Sequence, residues 1–152
     1  MFIAIEHTQE RFGKFARRLA NHEPMVNLHA VHANAISWIV HCVPAASLDR
    51  IWLLYPNPYP KTRHRNQRWH AMPFAAKLVE TLKPGGELRL ATNEQFYANE
   101  AERDWQLQGL VLDSRKEIGS DEAPRTHFER KYIERGETCF DLTFVRPRAS
   151  DH

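Results

Sequence analysis

This chain lacks the marks of several large classes of protein. Its two cysteines, Cys42 and Cys139, lie far apart with no C-x-x-C spacing. That spacing speaks against a disulfide framework or a zinc cluster and makes a reducing cytoplasm the expected compartment. Nine histidines are scattered without an H-E-x-x-H or similar pattern, so no metal is expected. No run approaches the ~18 apolar residues of a membrane span, and no signal peptide opens the chain. Charge of one sign is also scarce. A formal net charge of +2 gives no global basic field, so any surface for a polyanion has to be local. Of the six glycines, at 13, 85, 86, 109, 119 and 136, no two are spaced Gly-x-Gly. The chain therefore has no glycine turn of the kind that lets backbone close around a ligand.

What is present is ordinary globular material: 152 residues, 42% apolar and 26% charged, enough for one domain over residues 1–152 with one sizeable core. No repeat, low-complexity tract or linker divides it. Phe2–Ile5 reads as a buried strand closed by Glu6. From Thr8 to Ala20, Phe12, Phe15, Ala16 and Leu19 recur at helical spacing against Arg11, Lys14, Arg17 and Arg18. Strands are predicted over Val26–Val31, Leu48–Leu54, Glu87–Thr92, Leu110–Arg115 and Thr138–Arg146, and helices over Ala35–Cys42, Met72–Leu82 and Glu94–Gln108. Lys83-Pro-Gly-Gly86 is a breaker cluster after the Met72 helix. Alternating strands and helices predict an α/β fold, a mostly parallel sheet with helices on both faces.

The most informative stretch is residues 52–70. An apolar strand ends in Pro56, Pro58 and Pro60, interleaved with Asn57 and Tyr59, and then Lys61, Arg63, Arg65 and Arg68 follow within eight residues. Proline removes backbone donors and fixes φ, so the strand stops near Tyr55 and the loop is stiff. A stiff loop at the carboxyl end of a strand is where open α/β sheets place ligands. An amide and an aromatic ring there, followed by cations, suit a base in a pocket with phosphates beside it. Trp52 and Trp69 read as packing residues.

Tyr-Pro-Asn-Pro-Tyr-Pro-Lys-x-Arg-His, from Tyr55 to His64, resembles the Phe-Pro-Asp-Pro-Trp-Pro-Lys-x-Arg-His signature of the bacterial tRNA (guanine-N7)-methyltransferases. The likeness continues through Leu82-Lys-Pro-Gly-Gly-Glu-Leu-x-Leu-Ala-Thr92, Thr126-x-Phe128-Glu129 and Phe140-Asp-Leu-Thr-Phe144, and so spans Phe2 to about Arg146. It implies a class I methyltransferase fold, Rossmann-like, with S-adenosylmethionine as cofactor and tRNA as partner. By the same likeness residue 1 falls just before the second strand of that fold. The first, central strand with its Gly-x-Gly turn is then missing, which implies a divergent or amino-terminally truncated chain.

The resemblance also implies roles. Glu6, at the end of its strand, would hold the cofactor ribose, although an acid at a helix entry is favoured by the helix dipole in any case. Asn34 would contact the adenine end; a helix N-cap is the equal alternative. Asn57 stands where the family has a catalytic Asp and would face both cofactor and base. Guanine N7 carries a lone pair and no proton, so transfer to it needs alignment more than a strong base. An acid would accept from the N1–H and N2–H₂ edge of guanine. Asn weakens that pairing and can reverse toward O6. Asn93 again replaces a family Asp. Lys61, Arg63, His64, Arg65 and Arg68 would lie on tRNA, as would Thr126 and Glu129, which also spell a capping box. Asn57-Pro-Tyr59 resembles in addition the Asn-Pro-Pro-Tyr/Phe motif of methyltransferases acting on exocyclic amines. Three readings therefore stand: guanine-N7 transfer, transfer to an exocyclic amine, or an RNA-binding relic or fragment without turnover.

Overall fold

The computed structural model describes residues 1–149 and divides into two compact units, Met1–Val43 and a second from Pro44 onward. No Gly/Ser-rich stretch announces that boundary. The elements alternate through both units as β1 (Phe2–Glu6), α1 (Gln9–Ala20), β2 (Leu28–His32) and α2 (Ala35–Cys42), followed by β3 (Leu48–Leu54), α3 (Phe74–Thr81), β4 (Leu82–Thr92), α4 (Gln95–Leu107), β5 (Val111–Ile118), α5 (His127–Glu134) and β6 (Cys139–Val145).

In the amino-terminal unit β1 pairs in parallel with β2, from Phe2 opposite Leu28 to Glu6 opposite His32. α1 turns its half-buried stripe, Phe12, Phe15, Ala16 and Leu19, away from its charged residues, as the spacing predicted. Phe12 stacks on His32 with ring centroids 5.1 Å apart. β2 starts later than the apolar run does, because Leu28 N–H closes a turn onto the Met25 carbonyl.

The second unit holds a four-stranded sheet in the order β3-β4-β6-β5. β3 and β4 are parallel, whereas β6 runs antiparallel to both of its neighbours. The expected mostly parallel sheet is thus a mixed one, parallel in its first pairing and antiparallel around β6. Leu88 faces Phe144 and Leu90 faces Leu142 across the β4–β6 ladder, and all four are buried. Against them α4 lays Tyr97, Ala98, Ala101 and Trp105, each 0% exposed and spaced for one helical face. α4 ends in a Schellman motif. Leu110 N–H reaches the Trp105 carbonyl and Gly109 N–H the Gln106 carbonyl, with Gly109 at φ +90, where a Cβ would be strained.

α3 ends at Thr81, ahead of the Lys83-Pro-Gly-Gly86 cluster, and the chain passes straight into β4, which takes in the cluster instead of looping. Gly86 is required there for close approach. A Cβ on it would meet the Lys83 carbonyl at 2.8 Å and the Leu48 carbonyl at 3.1 Å, where the β3–β4 register shifts. On the other face, Arg89 lies over the Trp52 ring, 4.8 Å from its centroid, and Glu87 joins Arg50 and Arg89. Trp52 is therefore a partly exposed stacking surface rather than a core residue.

The core model predicts a sharp contrast along β6. Leu142→Ala should cost about 2–5 kcal/mol, because it opens a cavity between β4 and α4. Thr143→Ala, on the opposite face, should change stability by about 0.5 kcal/mol or less. Urea unfolding of both variants checks this; equal losses would place the core elsewhere.

Candidate active site

β3 delivers the chain to Tyr55, whose N–H bonds the Ala91 carbonyl of β4. Two non-glycine residues of the turn that follows, Tyr55 (φ +51) and Tyr59 (φ +44), are left-handed. Such conformations cost roughly 1–3 kcal/mol each and persist where the surroundings over-determine them. Both are tied down, at opposite ends of the proline loop.

At the first end, the Tyr55 hydroxyl donates to Glu129 Oε1 at 2.7 Å, and its ring packs against Tyr132 and Phe128 of α5. Glu129 is fully buried. Its carboxylate also accepts from Arg125 N (2.6 Å) and Nη2 (2.8 Å), while Arg125 Nη1 donates to Asp141 of β6. Thr126 caps α5 by accepting from Glu129 N–H at 3.0 Å. Half of the expected capping box is present. The Glu129 side chain returns to Arg125 N–H instead of the cap's own. Burial would raise the Glu129 carboxyl, but the bonds from Arg125 and Tyr55 outweigh it and hold the group below the ordinary 4.5. Burial, together with bonds to Cys139 and Glu129, pushes the Tyr55 hydroxyl far above its usual range, so it stays a donor.

At the second end, Arg68 donates Nε (3.2 Å) and Nη2 (2.9 Å) to the Tyr59 carbonyl and Nη1 to Glu100 of α4. Arg68 is 3% exposed and lies over Phe96. Arg65 pairs with Asp104 at 2.9 Å. His70, 2% exposed, turns Nε2 toward Glu100 at 3.4 Å, and its Nδ1 has no partner. Burial lowers the His70 pKa, so it sits there neutral.

Between these anchors is Asn57, exposed, with Oδ1 accepting from Tyr59 N–H at 3.2 Å. The basic run thus divides. Of the two arginines expected on tRNA that pair with α4, Arg68 is buried against Glu100, whereas Arg65 bonds Asp104 with its side chain still 41% exposed. Lys61 and Arg63 are exposed, and Arg63 Nε donates to its neighbour His64 Nε2 at 3.3 Å. Asn93, just past the end of β4, donates to Glu137 at 2.8 Å. Thr126 and Glu129 are engaged within the protein. A polar cavity of about 270 Å³ adjoins them, lined by Lys116, Glu122, Arg125, Glu129 and Asp141 among others. Sequence reasoning missed Tyr55, Glu100, Asp104 and Arg125. The signal available was an acid pair at i, i+4 on α4 facing an unusually dense run of arginines.

Glu6 and Asn34 belong to the amino-terminal unit. Glu6 Oε1 accepts from Thr8 N–H at 2.7 Å, and Asn34 caps α2 by accepting from Ser37 N–H at 3.1 Å. Each keeps a second polar atom outside these bonds, the Glu6 Oε2 and the Asn34 Nδ2.

A strand-and-helix alternation with polar loops at strand carboxyl ends is the fold of class I methyltransferases, and solved structures agree. The 16S rRNA methyltransferase KamB superposes with a TM-score of 0.69 at 16% identity, over 96% of this chain and 76% of its own. An antibiotic-related methyltransferase does so with a TM-score of 0.69 at 14% identity, over 95% and 75%. The chain belongs to the Methyltransf_4 family, described as "Putative methyltransferase", whose model matches residues 1–142. It is 31% identical over 145 residues to the tRNA (guanine-N(7)-)-methyltransferase of Nitrosococcus oceani, covering 95% of this chain and 61% of that protein. It is 32% identical over 155 residues to the same-named protein of Burkholderia thailandensis, covering 97% and 56%. The chain therefore spans about three fifths of the length of these relatives.

Glu129 gives the site a pH signature. Its folded pKa is depressed, so its contribution to stability is present above 4.5 and is lost as pH falls below that value. Glu129→Gln should lower the thermal midpoint at neutral pH and flatten the acid limb of the midpoint–pH curve. An acid limb identical to the parent protein's would show that the carboxylate is not held by Arg125 and Tyr55.

Proposed function

We propose that this chain is the catalytic-loop-bearing part of an S-adenosylmethionine-dependent tRNA methyltransferase that transfers a methyl group to guanine N7. The observation that carries this reading is the loop Tyr55–Pro60. It is fixed at both ends by part-buried charge networks, displays Asn57 at the carboxyl end of β3 and continues into exposed Lys61 and Arg63. The names of the relatives support the same activity.

The residues present fit the nucleoside half of the cofactor. Glu6 has a carboxylate oxygen to accept from a ribose hydroxyl, and Asn34 has an amide to donate to an adenine ring nitrogen. They do not fit the methionine half. Among the described residues no two glycines together form a backbone cradle: Gly85 and Gly86 abut Arg148 and the Leu48 backbone, and Gly13, Gly109, Gly119 and Gly136 face open space singly. When bound, S-adenosylmethionine supplies an electrophilic methyl carbon. The protein's own work is alignment, since N7 attacks with its lone pair and no proton has to leave the ring. The rigid loop limits where a base can sit, and Lys61 and Arg63 hold backbone phosphates. That no two glycines of this sequence are spaced Gly-x-Gly favours a second reading, an RNA-binding protein without turnover.

Mapping of the modified base in tRNA incubated with protein and labelled S-adenosylmethionine separates these. N7-methylguanine is the expected product. Methyl on adenine N6 or cytosine N4 would overturn the reading, and binding without product would establish the second.

The division of the basic run gives a further expectation. Each phosphate contact contributes roughly 0.9 to the log–log salt dependence of duplex binding. Lys61→Ala with Arg63→Ala should therefore flatten that slope by up to about two units while leaving base preference unchanged. An unchanged slope would return both cations to ordinary surface charge.

A further inference from the structure

We infer that Arg68 and Glu100 are a positioning pair that turns Asn57 so that it offers the substrate a hydrogen-bond donor, matched to the O6 carbonyl of a purine. The inference rests on the methyltransferase reading above and names the edge of the base that is recognised.

Tyr59 is claimed on both sides. Its N–H goes to Asn57 Oδ1 and its carbonyl to the Arg68 fork, which together keep a tyrosine at φ +44. Arg68 cannot leave this position, because it is buried, stacked on Phe96 and neutralised by Glu100. His70 braces the same Glu100 oxygen. The orientation of an asparagine amide is set by its hydrogen-bond partners. Tyr59 N–H is a donor, so it must face the oxygen of Asn57, and the two N–H groups of Nδ2 are left on an exposed residue with no partner among the described residues. An NH₂ facing the base pairs with a carbonyl and repels an exocyclic amine. On the major-groove edge of guanine, O6 stands beside N7. Donation to O6 fixes the base and leaves the N7 lone pair free. Adenine and cytosine present amines at the corresponding positions and are disfavoured.

The test uses RNA with guanosine, inosine or 2-aminopurine at the methylated position. Inosine keeps O6 and loses the 2-amino group; 2-aminopurine does the reverse. Inosine should be methylated within about threefold of guanosine, and 2-aminopurine roughly tenfold less well in kcat/KM. Asn57→Asp keeps one oxygen for Tyr59 N–H and presents a second, so inosine should then fall behind guanosine. Arg68→Lys keeps the charge but not the fork. It should lower kcat, shrink the 2-aminopurine discrimination and speed hydrogen exchange of the Tyr59 amide. The KM for RNA and the salt slope should be unaltered. Glu100→Gln, which preserves shape if Arg68→Lys fails to fold, should show the same pattern.

Equal discrimination against inosine and 2-aminopurine would overturn the donor assignment. A reduced salt slope with kcat intact in Arg68→Lys would make Arg68 a phosphate contact instead. If no RNA is methylated, the reading of function falls, and Tyr59 exchange alone decides the clamp. Exchange unchanged in both variants would overturn it.

Discussion

The site depends on one constraint: a proline-rich turn held with two tyrosines in left-handed backbone conformations. The three prolines stiffen the loop but do not place it. Placement comes from two arginine–carboxylate networks, Arg125–Glu129 with the Tyr55 hydroxyl, and Arg68–Glu100 with the Tyr59 carbonyl. One reaches the loop from α5 and the other from α4. Neither helix approaches the loop through apolar packing alone, and each network ends on a polar group of the loop.

Buried ion pairs are a costly way to stabilise a protein, since desolvation offsets most of their Coulomb attraction. Their use here makes sense as geometry. A guanidinium fork fixes distance and angle to a carbonyl far better than an aliphatic contact does. Arg68 and Glu129 are nearly or wholly excluded from water, so neither can relax outward without leaving a charge unpaired. The unpartnered Nδ1 of His70 marks where that arrangement is incompletely satisfied.

The chemistry proposed for the chain fits this rigidity. A nucleophile that carries its own lone pair needs no base, and it gains most from being held. In the proposed reading, an amide at Asn57 where the resemblance implies an acid alters which edge of the base is read and leaves the requirement for alignment untouched. The relatives named for guanine-N7 transfer are longer than this chain.

The sequence by itself determined most of the elements and singled out the proline loop after β3. Helical spacing over Phe12–Leu19, the exact limits of Leu48–Leu54 and Ala35–Cys42, and three prolines after an apolar strand are local signals, and local sterics decide them. The polar loop at the carboxyl end of β3 followed from the same reasoning. Only the tertiary structure decided that β6 runs antiparallel, that the chain forms two units, and that Arg65 and Arg68 pair with acids of α4 while Lys61 and Arg63 are left exposed. The four cations look alike in sequence because charge carries no direction. What separates them is Glu100 and Asp104, about 30 to 40 residues away on α4, and an ion pair across that separation exists only once the helix is packed on its sheet.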